Sequence, residues 1–141
     1  MKNNNSVINV YKKNNIRSAV VTQLLYGDTF KKIKKIGKWI KIKNDIDNYK
    51  GYIKSKNFSP NQRNTHKICS VAAAVYSKPQ RKSKTKKNLS FQSKIKVLGK
   101  KGDFYKFDHM WIKKSDLKEI NITRKNPFHN IKKFINIKYK W

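Results

Sequence analysis

Apolar and polar residues alternate over short runs that turn signals interrupt. Ile40-Lys41-Ile42-Lys43 and Lys94-Ile95-Lys96-Val97 place an apolar side chain at every second position. That is the period of a half-buried β-strand. Leu24-Leu25-Tyr26 runs into Gly27-Asp28, a turn signal. Phe30, Ile33 and Ile36 recur at a spacing that also fits a helix. Only nine residues separate Gly27 from Gly37, however, and Thr29 and the isoleucines favour a strand. Five short strands in about 50 residues predict a small barrel. A barrel of that size buries only about 60% of its unfolded surface, so two packed together are more secure than one.

A second copy is present. A shift of 65 residues sets Val10-Tyr11 on Val75-Tyr76, Leu24 on Leu89 and Phe30-Lys31 on Ile95-Lys96. The same shift sets Gly37 on Gly102, Trp39 on Phe104 and Ile40-Lys41-Ile42 on Tyr105-Lys106-Phe107. Farther on the shift falls to 59, and Tyr52-Ile53-Lys54 meets Trp111-Ile112-Lys113, with Phe58 on Leu117. A six-residue deletion in one loop accounts for the change. The pattern predicts two copies of one small domain, at residues 7–60 and 67–120. Ser59-Pro60-Asn61-Gln62-Arg63-Asn64 reads as the linker. Trp39, Tyr52, Phe104 and Trp111 are expected in the cores. The Lys-rich stretch between Ser77 and Asn88 is expected to be a solvated excursion.

Asn126-Pro127 supplies an N-cap followed by a proline at the first helical position. Phe128, Ile131, Phe134 and Ile135 then recur at helical spacing. The expectation is a C-terminal helix over residues 126–141 that opens a further domain.

Composition adds a charge question. The chain has 141 residues, 36 Lys and Arg against 7 Asp and Glu, and a formal net charge of +29. Such a field attracts polyanions. Yet 32 of the basic residues are Lys and only 4 are Arg, and Lys, Asn and Ile together make up 64 positions. All three have AT-rich codons. Arg, the residue suited to bidentate base and phosphate contacts, is scarce. Nucleic acid is therefore expected as a nonspecific partner only. No run approaches the roughly 18 apolar residues of a membrane span. Met1-Lys2-Asn3-Asn4-Asn5-Ser6 has no apolar stretch behind it, so no secretory signal is expected. One cysteine, Cys69, excludes an internal disulfide, and His66, His109 and His129 are far apart. No metal or other cofactor is expected.

Three motifs stand in order: Gln23-Leu24-Leu25-Tyr26-Gly27-Asp28, then Gly37-Lys38-Trp39-Ile40, then Asp47-Asn48-Tyr49-Lys50-Gly51-Tyr52-Ile53. They resemble the first bacterial SH3-like (SH3b) domain of the NlpC-type cysteine peptidases, the γ-D-glutamyl-L-diamino-acid endopeptidases of dipeptidyl-peptidase VI type. The family pattern there is Q-x-L-Y-G-E, W-x-x-V and D-x-Y-x-G-W-V. Ala74-Val75-Tyr76-Ser77-Lys78-Pro79 and Met110-Trp111-Ile112 are similar to the opening and close of the family's second SH3b domain. Residues 127–141 resemble the first helix of its papain-like α+β catalytic domain and the P-Y-x-W-G-G entry. The resemblance implies an all-β chain of two tandem SH3b barrels, followed by the start of a truncated catalytic domain.

It further implies a cytoplasmic protein that recognises recycled cell-wall muropeptides. The partners would be a peptidoglycan stem peptide with a free N-terminal L-Ala and the missing catalytic domain, with no membrane. In the family, an acid after L-Y-G and the tyrosine of D-x-Y hold that free amine. The matching positions are Asp28 and Tyr49. A carboxylate pairs with an ammonium, and a phenol adds a hydrogen bond. Without that role, Asp28 is a turn residue and Tyr49 a packing residue. The nucleophilic Cys of the family, in G-x-D-C-S after W-G-G, has no counterpart up to Trp141, and neither has its His. Cys69 and His66 stand three residues apart, but Cys69 beside Val71-Ala72-Ala73-Ala74 reads as a small buried hydrophobe. No catalytic residue is assigned, and the chain alone is expected to be inactive. The alternative is a freestanding basic SH3b module for peptidoglycan or another anionic polymer.

Overall fold

A computed structural model describes residues 1–122, 131, 132 and 134–136. Its described part is almost wholly β. The first unit holds β1 (Val7–Tyr11), β2 (Val20–Leu25), β3 (Phe30–Ile36), β4 (Trp39–Asn44) and β5 (Lys50–Lys54). They form one antiparallel sheet in the order β2-β1-β5-β4-β3. The second unit holds β6 (His66–Ile68), β7 (Ala72–Tyr76), β8 (Lys84–Ser90), β9 (Lys94–Ile95), β10 (Gly99–Lys101), β11 (Phe104–Phe107), β12 (Met110–Lys113) and β13 (Leu117–Glu119). Its main sheet runs β10-β11-β12-β7-β8, and a smaller one runs β13-β6-β9.

The internal repeat reappears in this topology. Read from its other edge, the second main sheet is β8-β7-β12-β11-β10, the same order as the first with each strand replaced by its counterpart. Both units carry a register shift at equivalent places, Val10/Tyr11 against β2 and Ala74/Tyr76 against β8. Gly37 and Gly102 close equivalent hairpins, both at φ +53°. That left-handed conformation is open to glycine without a Cβ clash.

Two apolar cores match as the repeat requires. Ile8, Val10, Leu24, Phe30, Ile42 and Ile53 fill the first. Ala73, Val75, Leu89, Ile95, Phe107 and Ile112 take the corresponding places in the second. The alternation of β4 decides which aromatics go inside. Ile40, Ile42 and Asn44 are buried, whereas Trp39, Lys41 and Lys43 are only half-buried. Side chains two apart share a face, so Trp39 lies on the face opposite the core. Tyr52 beside the buried Ile53, and Trp111 beside the buried Ile112, are placed in the same way. Of the four aromatics expected inside, Phe104 alone is buried; the other three form an outer layer. On that face Tyr11 and Trp39 meet edge-to-face at 5.5 Å; in the second unit the equivalent pair, Tyr76 and Phe104, repeats the contact at 5.1 Å but is buried.

The spacing of Phe30, Ile33 and Ile36 resolves as β3, a strand. In the stretch after Ser77 the basic residues Lys78, Arg81, Lys82, Lys84 and Lys86 are exposed, as expected, but it is not all loop. Its second half is β8, paired with β7, and its first half is a turn knotted around Ser83. The helix expected over residues 126–141 lies for the most part outside the described residues. Of those described, Phe134 packs edge-to-face on Phe91 of the second unit at 4.9 Å.

One turn joins the units. Gly27, at φ +84°, follows β2, and a Cβ placed there would stand 1.9 Å from the Lys94 carbonyl oxygen of β9. Gly37 shares the left-handed backbone but has nothing within 4 Å of such a Cβ. Gly37→Ala is therefore expected to cost about 1–2 kcal/mol, the strain of the backbone alone. Gly27→Ala is expected to cost about 2 kcal/mol more, because β9 must also move. Denaturant unfolding of both variants checks this, and equal losses would contradict the close approach.

Candidate functional site

The turn Leu25-Tyr26-Gly27-Asp28 carries the candidate acid, and its backbone is tied down on every side. The Tyr26 N–H donates to the Ser6 carbonyl at 3.2 Å, and the Gly27 N–H to the Asn3 carbonyl at 2.8 Å. Asn3, fully buried, donates through Nδ2 to the Leu24 and Leu25 carbonyls at 2.9 and 3.0 Å. From the second unit, the Lys94 N–H donates to the Tyr26 carbonyl at 2.7 Å. The Asn64 side-chain amide donates to the Gly27 carbonyl at 3.0 Å. A turn bonded this fully is rigid.

The Tyr26 side chain leaves its own unit. Its ring, 1% exposed, belongs to the core of the second unit and meets Phe107 edge-to-face at 5.7 Å. Its hydroxyl donates to the Asp108 carboxylate. Lys2 Nζ lies 5.5 Å and Lys87 Nζ 5.0 Å from the ring centroid. Lys2 Nζ also stands 3.7 Å from Asp108. Burial raises the Tyr26 phenol well above its ordinary range, and its hydrogen bond to the Asp108 carboxylate and that group's charge raise it further. The phenol is thus held neutral as a donor. Burial lowers the Lys87 ammonium, and Asp108 opposes the shift.

Asp28 itself is 4% exposed. One carboxylate oxygen accepts the Leu25 N–H at 2.8 Å and closes the turn. The other accepts from Lys94 Nζ at 3.1 Å, an ion pair between the units. Tyr49 is 48% exposed on the turn between β4 and β5. The Asp47 carboxylate accepts the Tyr49 N–H at 2.9 Å, and the Tyr49 carbonyl accepts the Asn44 N–H at 2.9 Å. The two turns are adjacent, because the Asp45 N–H donates to the Thr29 carbonyl at 3.1 Å, next to Asp28. The structure thus brings the backbones of the candidate residues to one end of the first unit, with Asp28 inside and Tyr49 outside.

Cys69 and His66 face different neighbours. The Cys69 thiol donates to the Ser115 carbonyl at 3.7 Å. The His66 ring stacks edge-on to Tyr105, with Nδ1 2.9 Å from the Thr65 hydroxyl. Burial lowers the His66 imidazole below its ordinary range, against the pull of Glu119. Residues three apart on an extended segment point to opposite faces, so their spacing does not by itself set a thiolate beside its base. Among the described residues no three His, Cys, Asp or Glu side chains gather as a metal site. No helix among them is long and apolar enough to cross a membrane.

Residues 6–59 match the family model of the bacterial SH3 domain. No curated protein matches the chain. Among solved structures, an NlpC/P60 family protein from Bacillus cereus ATCC 10987 is similar, with a TM-score of 0.68 and 15% sequence identity. The likeness covers 84% of this chain and 55% of the other, so this chain spans about half the length of that protein. At that identity the likeness concerns the fold. The described part of the chain is two tandem SH3-like barrels of β-strands, and the first matches the bacterial SH3 domain family.

Lys94, Tyr26 and Asp108 were not legible as site residues. Tyr26 and Asp108 are 82 positions apart, and only the packing of one barrel on the other joins them. Asp108 did carry one signal, as one of seven acids in a strongly basic chain. Asp28→Ala orphans the Leu25 N–H and unpairs Lys94. It is expected to lower stability by about 2–4 kcal/mol. Tyr49→Phe at an exposed position is expected to stay within about 0.5 kcal/mol. Chemical denaturation measures both, and a neutral Asp28→Ala would remove the structural role of the carboxylate.

Proposed function

We propose that this chain is the substrate-recognition region of a peptidoglycan stem-peptide hydrolase and gates access to its catalytic domain. The observation that carries the reading is the likeness of both barrels together to an NlpC/P60 protein over 84% of this chain. In this reading residues 7–60 and 67–120 are the two SH3b domains, residues 126–141 begin the catalytic domain, and the protein acts in the cytoplasm. The end of the first barrel that carries Asp28 and Tyr49 receives the free amine of L-Ala. The ligand ammonium displaces the part-exposed Lys94 from Asp28, whose carboxylate oxygens together have about four acceptor positions. The Tyr49 phenol adds a hydrogen bond from the solvent side. Asp28 is one carbon shorter than the family's Glu, so the amine must approach the turn closely.

Calorimetric titration with L-Ala-γ-D-Glu-diaminopimelate tests this directly. The free-amine tripeptide is expected to bind at least about tenfold more tightly than its N-acetylated form, about 1.4 kcal/mol. Tyr49→Phe is expected to weaken it, and no dipeptide is expected to be released. Equal binding of both peptides, or of neither, would overturn the reading. The net charge of +29 favours a second reading, a basic module for an anionic wall polymer. In that case sedimentation with purified sacculi fades steeply as salt rises and is indifferent to acetylation.

A further inference from the structure

The second barrel has a groove of its own. A cavity of ≈ 510 Å³ opens beside Cys69, with the buried rings and chains of Phe104 and Leu117 in its lining. Arg81, Lys113, Lys114 and Lys118 also line it, against a single acid, Asp103. The volume suits a small ligand, since such sites commonly span about 300–1,000 Å³. We propose that this groove binds a phosphate-bearing ligand.

Lysine alone would not support that assignment, because Lys is abundant throughout the chain. Two features separate the groove from the general surface. One is Arg81, one of only 4 arginines, whose planar fork can bind a phosphate through two hydrogen bonds. The other is the turn that presents it. The Ser83 hydroxyl donates to the Lys78 carbonyl at 2.7 Å and accepts the Lys78 N–H at 3.1 Å. It also lies 2.8 Å from the Gln80 carbonyl, and the Ser77 N–H donates to the Ser83 carbonyl at 3.0 Å. The turn's own hydrogen bonds fix its backbone, so little backbone ordering remains to oppose binding. The opposite wall is equally fixed, since the Lys114 N–H donates to the Asp103 carbonyl at 2.8 Å and the Cys69 N–H to the Asp116 carbonyl at 2.9 Å. Four cations facing one carboxylate call for a ligand with more than one negative charge. A phosphate group carries up to two, with three acceptor oxygens. The assignment is independent of the stem-peptide reading, which concerns the other barrel.

The test is calorimetric titration of the whole chain with inorganic tripolyphosphate, at an ionic strength held at 0.15 M by sodium chloride (about an 8 Å screening length). Arg81→Ala and Lys114→Ala each remove one charge from the groove, and Arg17→Ala removes one from the exposed loop between β1 and β2. Saturable binding is expected, weakened about tenfold by Arg81→Ala and also weakened by Lys114→Ala, but unchanged in Arg17→Ala. Tripolyphosphate is also expected to slow alkylation of Cys69 by the uncharged reagent N-ethylmaleimide, which locates the ligand. Citrate, a polyanion of carboxylates, is expected to bind more weakly than tripolyphosphate. Absence of saturable binding, equal losses in Arg81→Ala and Arg17→Ala, unaltered Cys69 alkylation, or preference for citrate would each overturn the proposal.

Discussion

The arrangement of the two barrels depends on one buried ring. Tyr26 is encoded in the first barrel and completes the core of the second, against Phe107 and among Ile68, Val75 and Ile112. Burying an aromatic of this size contributes roughly 2–3 kcal/mol from apolar area alone. The phenol must still find a partner in that setting, and Asp108 supplies one. Lys2 and Lys87 then offset the charge of Asp108 and lie near the same ring. Each group at the junction is thus explained by the one before it.

This geometry gives the Leu25–Asp28 turn two constraints at once. Gly27 is needed where β9 approaches its backbone, and Asp28 is needed to close the turn and hold Lys94. In the proposed reading, a ligand ammonium would exchange with Lys94 at Asp28 and so couple binding at the first barrel to contacts with the second.

Much of the architecture was readable in the chain. Alternation found β4, and the offset of 65, matched glycines included, found equivalent cores. Composition and periodicity failed where the answer depended on which face a residue takes. Trp39, Tyr52 and Trp111 were expected in the cores, yet strand parity assigns them to the outer face. The stretch from Ser77 to Asn88 was judged by its lysines, and its hydroxyl network at Ser83 was invisible to that criterion. Asp28 and Tyr49 were found through the family resemblance. The burial of Asp28 and its partner Lys94 were not, because an ion pair 66 positions apart exists only after the barrels dock.

The most direct test of the junction is equilibrium urea unfolding with one reporter in each barrel, Trp39 retained in one variant and Trp111 in another, the other tryptophans replaced by phenylalanine. If Tyr26 joins the barrels, the two transitions coincide, and Tyr26→Ala lowers the midpoint reported by Trp111 although the substitution lies in the first barrel. Separate transitions in the parent chain, or a Tyr26→Ala effect confined to Trp39, would contradict it.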